Sequence, residues 1–503
     1  MTGIILSHDL GTTGNKATLV DADGHVLGAV SVAYGADFGH GGRAEQRPDD
    51  WWDAVCTASR GLLDAFPGAR EHIAGVSFSG QMMGAVLVDA VGIPVRPAII
   101  WADTRSTAQA AQLNDRVGEK RGYLITGHRL NATYSLSKVM FVRDEEPDVF
   151  ARAEQLLSAK DYVVFRLTGE LVTDPSDASG TNAFDQASGD WSDELIDAAD
   201  LDRGLFPRIV PSTSVIGGVT ADAAVATGLI AGTPVVVGGG DGPMAALGAG
   251  IVDATSGAYG YLGTSSWLSY AADAPLHDPA MRTMTFNHVI PGGFVPTATM
   301  QTGGGALEWI SDVLAPDAGA ERYSSLLGAA AETEAAFEDL YFLPHLLGER
   351  SPYWNPRARA AFVGLARHHD RAHLTRAVIE GVAFNLYTGL QAFLQNGAAI
   401  TAVDLIGGAA NSSVVLGLLG DVWGIPVRRR DLVDEATALG AAVVGGIGVG
   451  LFDSFEVAGR MSQLSEPTMP DLARHERYRR AHGSFLDAYT RLEPWFDAHG
   501  GKE

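Results

Sequence analysis

Short apolar runs broken by turn residues fill the first thirty positions. "GIILSHDL" (3–10), "KATLVD" (16–21) and "HVLGAVSVAY" (25–34) read as three antiparallel strands, joined by Gly-Thr-Thr-Gly at 11–14 and by "ADG" at 22–24. The period then changes. In "PDDWWDAVCTASRGLLDAF" (48–66), Trp52, Val55, Leu62 and Phe66 fall near helical spacing behind Asp49 and Asp50, which predicts a helix. "IAGVSFSG" (73–80) and "AIIWADTRS" (98–106) predict two further strands that end in loops. Residues 106–225 carry helical patterns and polar turns, as expected of an insertion that covers one side of a first domain.

The second half repeats the first. "GTPVVVGGGDGPMAALGAG" (232–250) predicts a strand, a Gly-rich loop and a helix, and "GAYGYLGTSSWLSYA" (257–271) is again strand, Gly-Thr-Ser turn, strand. The turns that begin at Gly11 and Gly263 lie about half a chain apart. Either alone is readable as a plain hairpin turn, since Gly supplies positive φ, or as a phosphate cradle of N–H groups and hydroxyls. Two in the same setting point to duplicated domains facing one another, and this favours the cradle. "QTGGGALEWISDVL" (301–314) runs from glycines into a helix, residues 371–394 form a long helix with one apolar stripe, and "VDLIGGAANSSVVLGLLGDVWG" (403–424) is strand, small-residue turn, helix. Strand-to-loop junctions near 79, 241 and 407 are candidate binding edges.

Bulk properties narrow the class. The 503 residues suit two large domains or three small ones, and 46% hydrophobic against 19% charged residues allows a substantial core. A net charge of -24, with no long Lys/Arg run, argues against nucleic acid as a partner. "VRRRD" (427–431) is the densest basic run and is expected to cap a solvated loop. One cysteine, Cys56, excludes an internal disulfide and suits a reducing cytoplasm. No signal-peptide pattern and no uninterrupted apolar run near ~20 residues is visible, so neither export nor a membrane span is expected.

Taken together, "DLGTTGNKATLVD" (9–21), "KDYVVFRLTGELVTDPSDASGT" (160–181), "GGGDG" (238–242), "GTSS" (263–266), "GERSPYWNPRARAAFVGL" (348–365), "AAFVGLARHHDRAHLTRAVIE" (360–380) and "LIGGAANSS" (405–413) resemble the FGGY family of carbohydrate kinases, most closely its xylulose kinases. The resemblance runs over nearly the whole chain and in the family's order. It implies an α/β fold of two ribonuclease H-like domains, as in actin, hexokinase and the Hsp70 ATPase, flanking a deep cleft. The N-terminal domain is expected over 1–245, with sugar contacts, first phosphate loop and catalytic Asp. The C-terminal domain is expected over 246–503, with the second phosphate loop and the adenosine site.

The same resemblance implies a Mg²⁺- and ATP-dependent kinase. Gly11, Thr12, Thr13 and Gly14 would hold the β- and γ-phosphates, with Lys16 adding charge, and Asp9 would hold Mg²⁺ through water, as that ion tends to keep its waters. Asp241 would accept the proton of the sugar hydroxyl. It also reads as a helix-start residue, where the helix dipole would keep it ionised. Thr264 matches the second phosphate contact, Gly304 and Glu308 fall in the ribose or phosphate region, and Gly407, Gly408, Asn411 and Ser412 border the adenosine. Here Ala409 and Asn411 depart from the family's Gly and basic residue. Gln81, Met82, Met83, Trp101, Asp103 and Arg105 are the expected sugar contacts. Trp101 reads equally as core, and Asp103 and Arg105 as a pair with each other. His368, His369 and His373 lack a metal motif and read as a solvated helix start.

The function expected from this is phosphorylation of the terminal hydroxyl of a small ketose, D-xylulose first, in the cytoplasm, with a homodimer compatible. Another ketose, a polyol or a sugar acid such as gluconate is the nearest alternative, since "IIWADTRS" also resembles gluconate kinases. A sugar sensor on the same fold and an actin- or Hsp70-like ATPase are the others. The departure that bears on the substrate is Met83, where xylulose kinases usually carry His.

Overall fold

The computed structural model describes residues 3–316, 322–431 and 436–500. Strands β1 (Ile4–Leu10), β2 (Gly14–Asp21) and β3 (Val26–Ala33) form the antiparallel meander read from the sequence. Helix α1 (Pro48–Ala65) then carries the chain to β4 (Ile73–Gly80), which pairs parallel with β1 on its other side. Strand β1 is covered on both faces, so its apolar residues run on where those of the edge strand β3 alternate. Strands β5 (Val215–Gly218) and β6 (Pro234–Val236) complete the order β5-β6-β4-β1-β2-β3, with the short β7 (Gly239–Gly240) alongside the end of β4. Of the predicted strand 98–106, only Ala98–Ile99 pairs as a strand.

Between β4 and β5 lie α2 (Ser135–Glu145) and α3 (Ala159–Thr168), and the insertion that holds α2 has its own core around Leu113, Val139, Phe184 and Trp191. Helix α4 (Asp241–Gly248) follows β7 directly.

The second sheet contains β8 (Ala258–Leu262), β9 (Ser266–Tyr270), β10 (Met284–Asn287), β11 (Phe294–Met300), β12 (Val403–Ile406) and β13 (Val427–Arg429), in the order β10-β11-β9-β8-β12-β13. Strands β8, β9 and β11 are antiparallel, and β12 and β13 run parallel to β8. This is the succession of β1, β2, β3, β4 and β6, so the duplication seen in two turns extends to both sheets. Helices α5 (Gly304–Leu314), α6 (Arg371–Gln395) and α7 (Ser413–Trp423) pack together beside this sheet.

Two expectations are corrected here. Helix α6 does not show a single apolar stripe: Thr375 to Gly381 are buried without interruption, because the helix lies between β11 and other helices. Its buried Arg376 is paired with Glu380 at 2.8 Å. By length and composition α6 is apolar enough to cross a bilayer, yet most of it is enclosed by this fold. Second, 427–431 is not a solvated loop. Residues 427–429 are strand β13, and Arg428 and Arg430 grip the two oxygens of buried Asp404 at 2.6 and 2.9 Å.

The expected boundary at 245/246 lies within α4 (Asp241–Gly248), where the two halves of the chain are in close contact. Helix α8 (Ala436–Gly448), from the second half, packs back on β1 and β4 of the first sheet and crosses α4. The crossing is too close for side chains. A Cβ on Gly440 would lie 2.1 Å from the Met244 carbonyl oxygen, and one on Gly248 1.8 Å from that of Ala436. The apolar cluster of Ile5, Val20, Ala245, Tyr259, Ile406 and Leu439 therefore joins both sheets under the cleft.

Candidate active site

The first turn has its carbonyls bonded within the protein. Every carbonyl of Gly11–Gly14 accepts a bond from the protein itself. Tyr34 Oη donates to Gly11 O at 2.6 Å, Gln46 Nε2 to Thr12 O at 2.7 Å, the Tyr34 amide to Thr13 O at 3.1 Å and the Gly11 amide to Gly14 O at 3.0 Å. The amides of Thr12 and Thr13 take no part in these turn bonds among the described residues. With carbonyl oxygens drawn inward, the turn presents N–H groups and the Thr12 and Thr13 hydroxyls, the donor set an oxyanion needs. Lys16, on β2, is close enough to act on the charge of Asp9.

The second turn is tied to α5 rather than left open. The Gly304 amide donates to Gly263 O at 2.7 Å, and the amides of Gly303 and Gly305 donate to Thr264 O. Gly304 is thus a packing glycine whose N–H is already used. Thr264 is exposed at the tip, and Glu308 is exposed on the second turn of α5. On the adenosine side, Gly407 has φ 93°, and a Cβ there would lie 2.8 Å from Leu262 O, so the strand end can make its bend only with glycine. Gly408 is exposed, Asn411 Oδ1 accepts from Arg429 at 3.1 Å, and Ser412 caps α7.

Two acids meet in the cleft. Asp9, on β1, has Oδ2 bonded to Thr437 Oγ1 at 2.5 Å, while its Oδ1 is buried without a hydrogen-bond partner. Burial raises its pKa, against the Thr437 and Ser79 hydroxyls and the Lys16 charge. Asp241 is the first residue of α4, and burial, reinforced by the charge of Asp9, pushes it up to about 7. The helix dipole expected to keep Asp241 ionised is thus outweighed in direction, and the group is pushed toward its protonated form. An end-of-helix dipole amounts to about half a charge, and here it opposes both desolvation and a full negative charge. The result is a far better proton acceptor than an ordinary carboxylate, poised near neutral pH. The lone Asp9 oxygen, in a pair that repels, suits a hard divalent cation.

One cavity of about 360 Å³ brings these groups together: Thr12 from the first turn, Ser265 and Ser266 from the second, Asp241, Met82, Met83 and Trp101 all line it. Trp101 Nε1 donates to Thr12 Oγ1 at 2.9 Å, so Trp101 is neither core nor isolated. Met83 sits at φ 64°, a costly conformation for a non-glycine residue. Its carbonyl is held by buried Lys138 Nζ at 2.8 Å, and the Gly84 carbonyl by Ser135 Oγ at 2.6 Å, so α2 fixes this loop.

Asp9, Thr264, Gln81, Asp103 and Arg105 do not line this cavity. Gln81 is buried and donates to Gln46 Oε1 at 2.7 Å. Asp103 is buried and accepts from the Ala44 amide at 2.8 Å and from Arg105 Nε at 2.9 Å, and Arg105 also reaches Glu45 at 2.5 Å. A buried carboxylate must be paired, and its own neighbours supply the partners. The walls that sequence reasoning missed include Trp267, Met284, Phe286, Met300, Arg350 and Thr437. Alternation along β10 gave the only signal for Met284 and Phe286.

The histidine group is not a solvated helix start throughout: the His369 side chain is 1% exposed. His369 Nδ1 accepts the Ala366 amide, which leaves the proton on Nε2 and removes that nitrogen as a metal ligand. His368 Nε2 lies 3.0 Å from Glu338, and His373 Nδ1 lies 2.8 Å from Asp370.

Comparison with known proteins accounts for most of the chain. Residues 4–248 match the N-terminal domain of the FGGY family of carbohydrate kinases, and residues 258–449 match its C-terminal domain. The chain belongs to this family. As an FGGY kinase it is a sugar kinase, with the two-domain α/β fold of the actin, hexokinase and Hsp70 ATPase class. The xylulose kinase of Escherichia coli (strain K12) is 33% identical over 97% of this chain and 98% of its own. A gluconokinase of Bacillus subtilis (strain 168) is 30% identical over 92% and 90%. The structure of ligand-bound xylulose kinase from Lactobacillus acidophilus superposes with a TM-score of 0.93 at 26% identity, covering 99% of each chain. FGGY sugar kinases use ATP as phosphate donor.

Proposed function

We propose that this FGGY kinase transfers the γ-phosphoryl group of ATP to the terminal hydroxyl of a small ketose, D-xylulose being the first candidate, in the cytoplasm. The observation that carries the reading is the single cavity in which Asp241, the Gly11–Gly14 turn and the Met82–Met83 loop meet. Phosphoryl transfer asks the protein mainly for positioning and charge neutralisation. The amides of Thr12 and Thr13 and the Thr12 hydroxyl receive the transferred phosphoryl oxygens, and Thr264 approaches from the opposite domain. Trp101, bonded to Thr12, sets the sugar face against the phosphate turn. Asp241, near pKa 7, accepts the hydroxyl proton as the oxygen attacks. Asp9 would hold Mg²⁺, which supplies neutralising charge between donor and acceptor. Gly407, Gly408, Asn411 and Ser412 border the adenosine, and Gly304 and Glu308 its ribose or phosphate side.

The second reading is a sugar acid such as gluconate, favoured by the relative described as a gluconokinase and by Arg350 in the cavity wall. A screen of ADP release from ATP over ketoses, polyols and sugar acids tests both. Turnover that depends on a ketose is expected. Turnover confined to sugar acids moves the assignment, and no acceptor-dependent turnover from any class overturns it.

A further inference from the structure

One cluster of buried charges plays no part in the chemistry above. Lys160 and three carboxylates, Asp161, Asp174 and Asp177, are enclosed together, each 0–2% exposed at the side chain. Lys160 Nζ lies 2.5, 3.0 and 3.4 Å from them in that order. Burial raises the Asp177 pKa, against the charge of Lys160, which favours its protonated form and lowers the net charge of the cluster. Such a group is expensive to desolvate and weak evidence of stability by itself. Its position relative to the cleft gives it a use.

The cluster lies directly behind the two strand ends of the site. A Cβ on Gly80, the last residue of β4, would fall 2.9 Å from Lys160 Cβ. Asp174 Oδ2 accepts from Ser176 Oγ at 2.5 Å and from Ser212 Oγ at 2.7 Å. Having donated to Asp174, Ser176 Oγ accepts the Gly240 amide at 2.9 Å. Gly240 is the residue before Asp241. Its segment has no slack, since a Cβ on Gly239 would lie 2.6 Å from Ser176 Oγ and one on Gly240 2.5 Å from Met82 Sδ.

We propose that Ser176 is a positioning residue for Asp241: Lys160 and Asp174 fix its hydroxyl, the hydroxyl fixes the Gly240 amide, and this sets where α4 begins and where the Asp241 carboxylate points. The proposal rests on the proton-acceptor role proposed for Asp241. Ser212 serves as the internal control, because it bonds the same Asp174 oxygen and has no bond to Gly240.

The test uses the full chain with ATP and D-xylulose, or gluconate where that is the better acceptor, with amide exchange followed by mass spectrometry. Ser176→Ala is expected to speed exchange in peptides covering 237–244, to lower kcat about 10–100-fold, as small misplacements do, and to leave KM for ATP within about twofold. Ser212→Ala should leave both near wild type. Should Ser176→Ala not fold, Asp174→Asn is expected to give the same signature in weaker form. Wild-type exchange at 237–244 in a folded variant overturns the proposal, as does faster exchange with unchanged kcat, or an equal loss in Ser212→Ala. Asp241→Asn is assayed alongside. Full activity there would overturn the proposal through its basis and not through the Ser176–Gly240 link, which the exchange data report separately.

Discussion

Thr437 Oγ1 donates to Asp9 Oδ2 over 2.5 Å, joining residues 428 positions apart in the chain. The bond occupies one oxygen of Asp9 and leaves the other buried, with the Ser79 hydroxyl close enough to stabilise its charge. A carboxylate held this way stays ionised more easily than burial alone would allow, and offers one oxygen outward.

Asp9→Asn is therefore expected to raise the Mg²⁺ concentration needed for half-maximal turnover by roughly tenfold or more, worth ~1.4 kcal/mol or above. It should leave KM for the sugar little changed. A Mg²⁺ titration of sugar-dependent ADP release measures this. An unchanged Mg²⁺ requirement would take Asp9 out of the ion site.

The raised pKa of Asp241 predicts a pH profile. With its acceptor form gained near pH 7, kcat/KM should rise through that region rather than near pH 4. Stability should move the other way. The folded pKa is about 7 against an ordinary 3.8, so between those values the folded state holds a proton that the unfolded chain has lost. Stability contributed by this group is present below the unfolded value and lost as pH rises through the folded one. Asp241→Asn should thus gain on wild type in urea unfolding as pH is raised from 4 to 8, by up to about 4 kcal/mol. A constant gap across this range would contradict the assigned environment.

Met83 stands at the sugar loop where xylulose kinases usually carry His, and its side chain offers only a weak sulfur acceptor. A buried sugar hydroxyl left without a partner costs ~1–3 kcal/mol, or about 5–150-fold in specificity. D-xylulose should accordingly be a mediocre substrate, and the preferred acceptor should lack a hydroxyl, or place an apolar group, at Met83. Lys138 holds the Met83 carbonyl in either case, so Met83→His should keep the loop and raise kcat/KM for D-xylulose within that range. A loss, or a wild type already efficient on D-xylulose, would argue against it.

Local chemistry was what the sequence made legible. The turns at Gly11 and Gly263 announce themselves because glycine, threonine and short strands suffice to define a hairpin, and Asp241 because an acid follows three glycines into a helix. What failed depended on distant partners. The pKa of Asp241 is raised by burial that no local pattern displays, and then by the charge of Asp9 on a distant strand. Asp103 and Arg105 look free in "WADTR", yet the Ala44 amide and Glu45, from elsewhere in the chain, consume them. Thr437 is one hydroxyl at the start of a helix rich in Ala, Gly and Val, with nothing nearby to mark it. Helix α6 lost its stripe because layers on more than one side erase the period that a half-buried helix keeps.

The central claim is that Asp241 takes the proton in a sugar-dependent phosphoryl transfer, and Asp241→Asn tests it most directly. ADP release with and without sugar is measured beside nucleotide binding and thermal unfolding. The account predicts a folded variant that binds ATP normally and loses ~10²–10⁴-fold in sugar-dependent turnover. Near wild-type sugar-dependent turnover in that variant would contradict it.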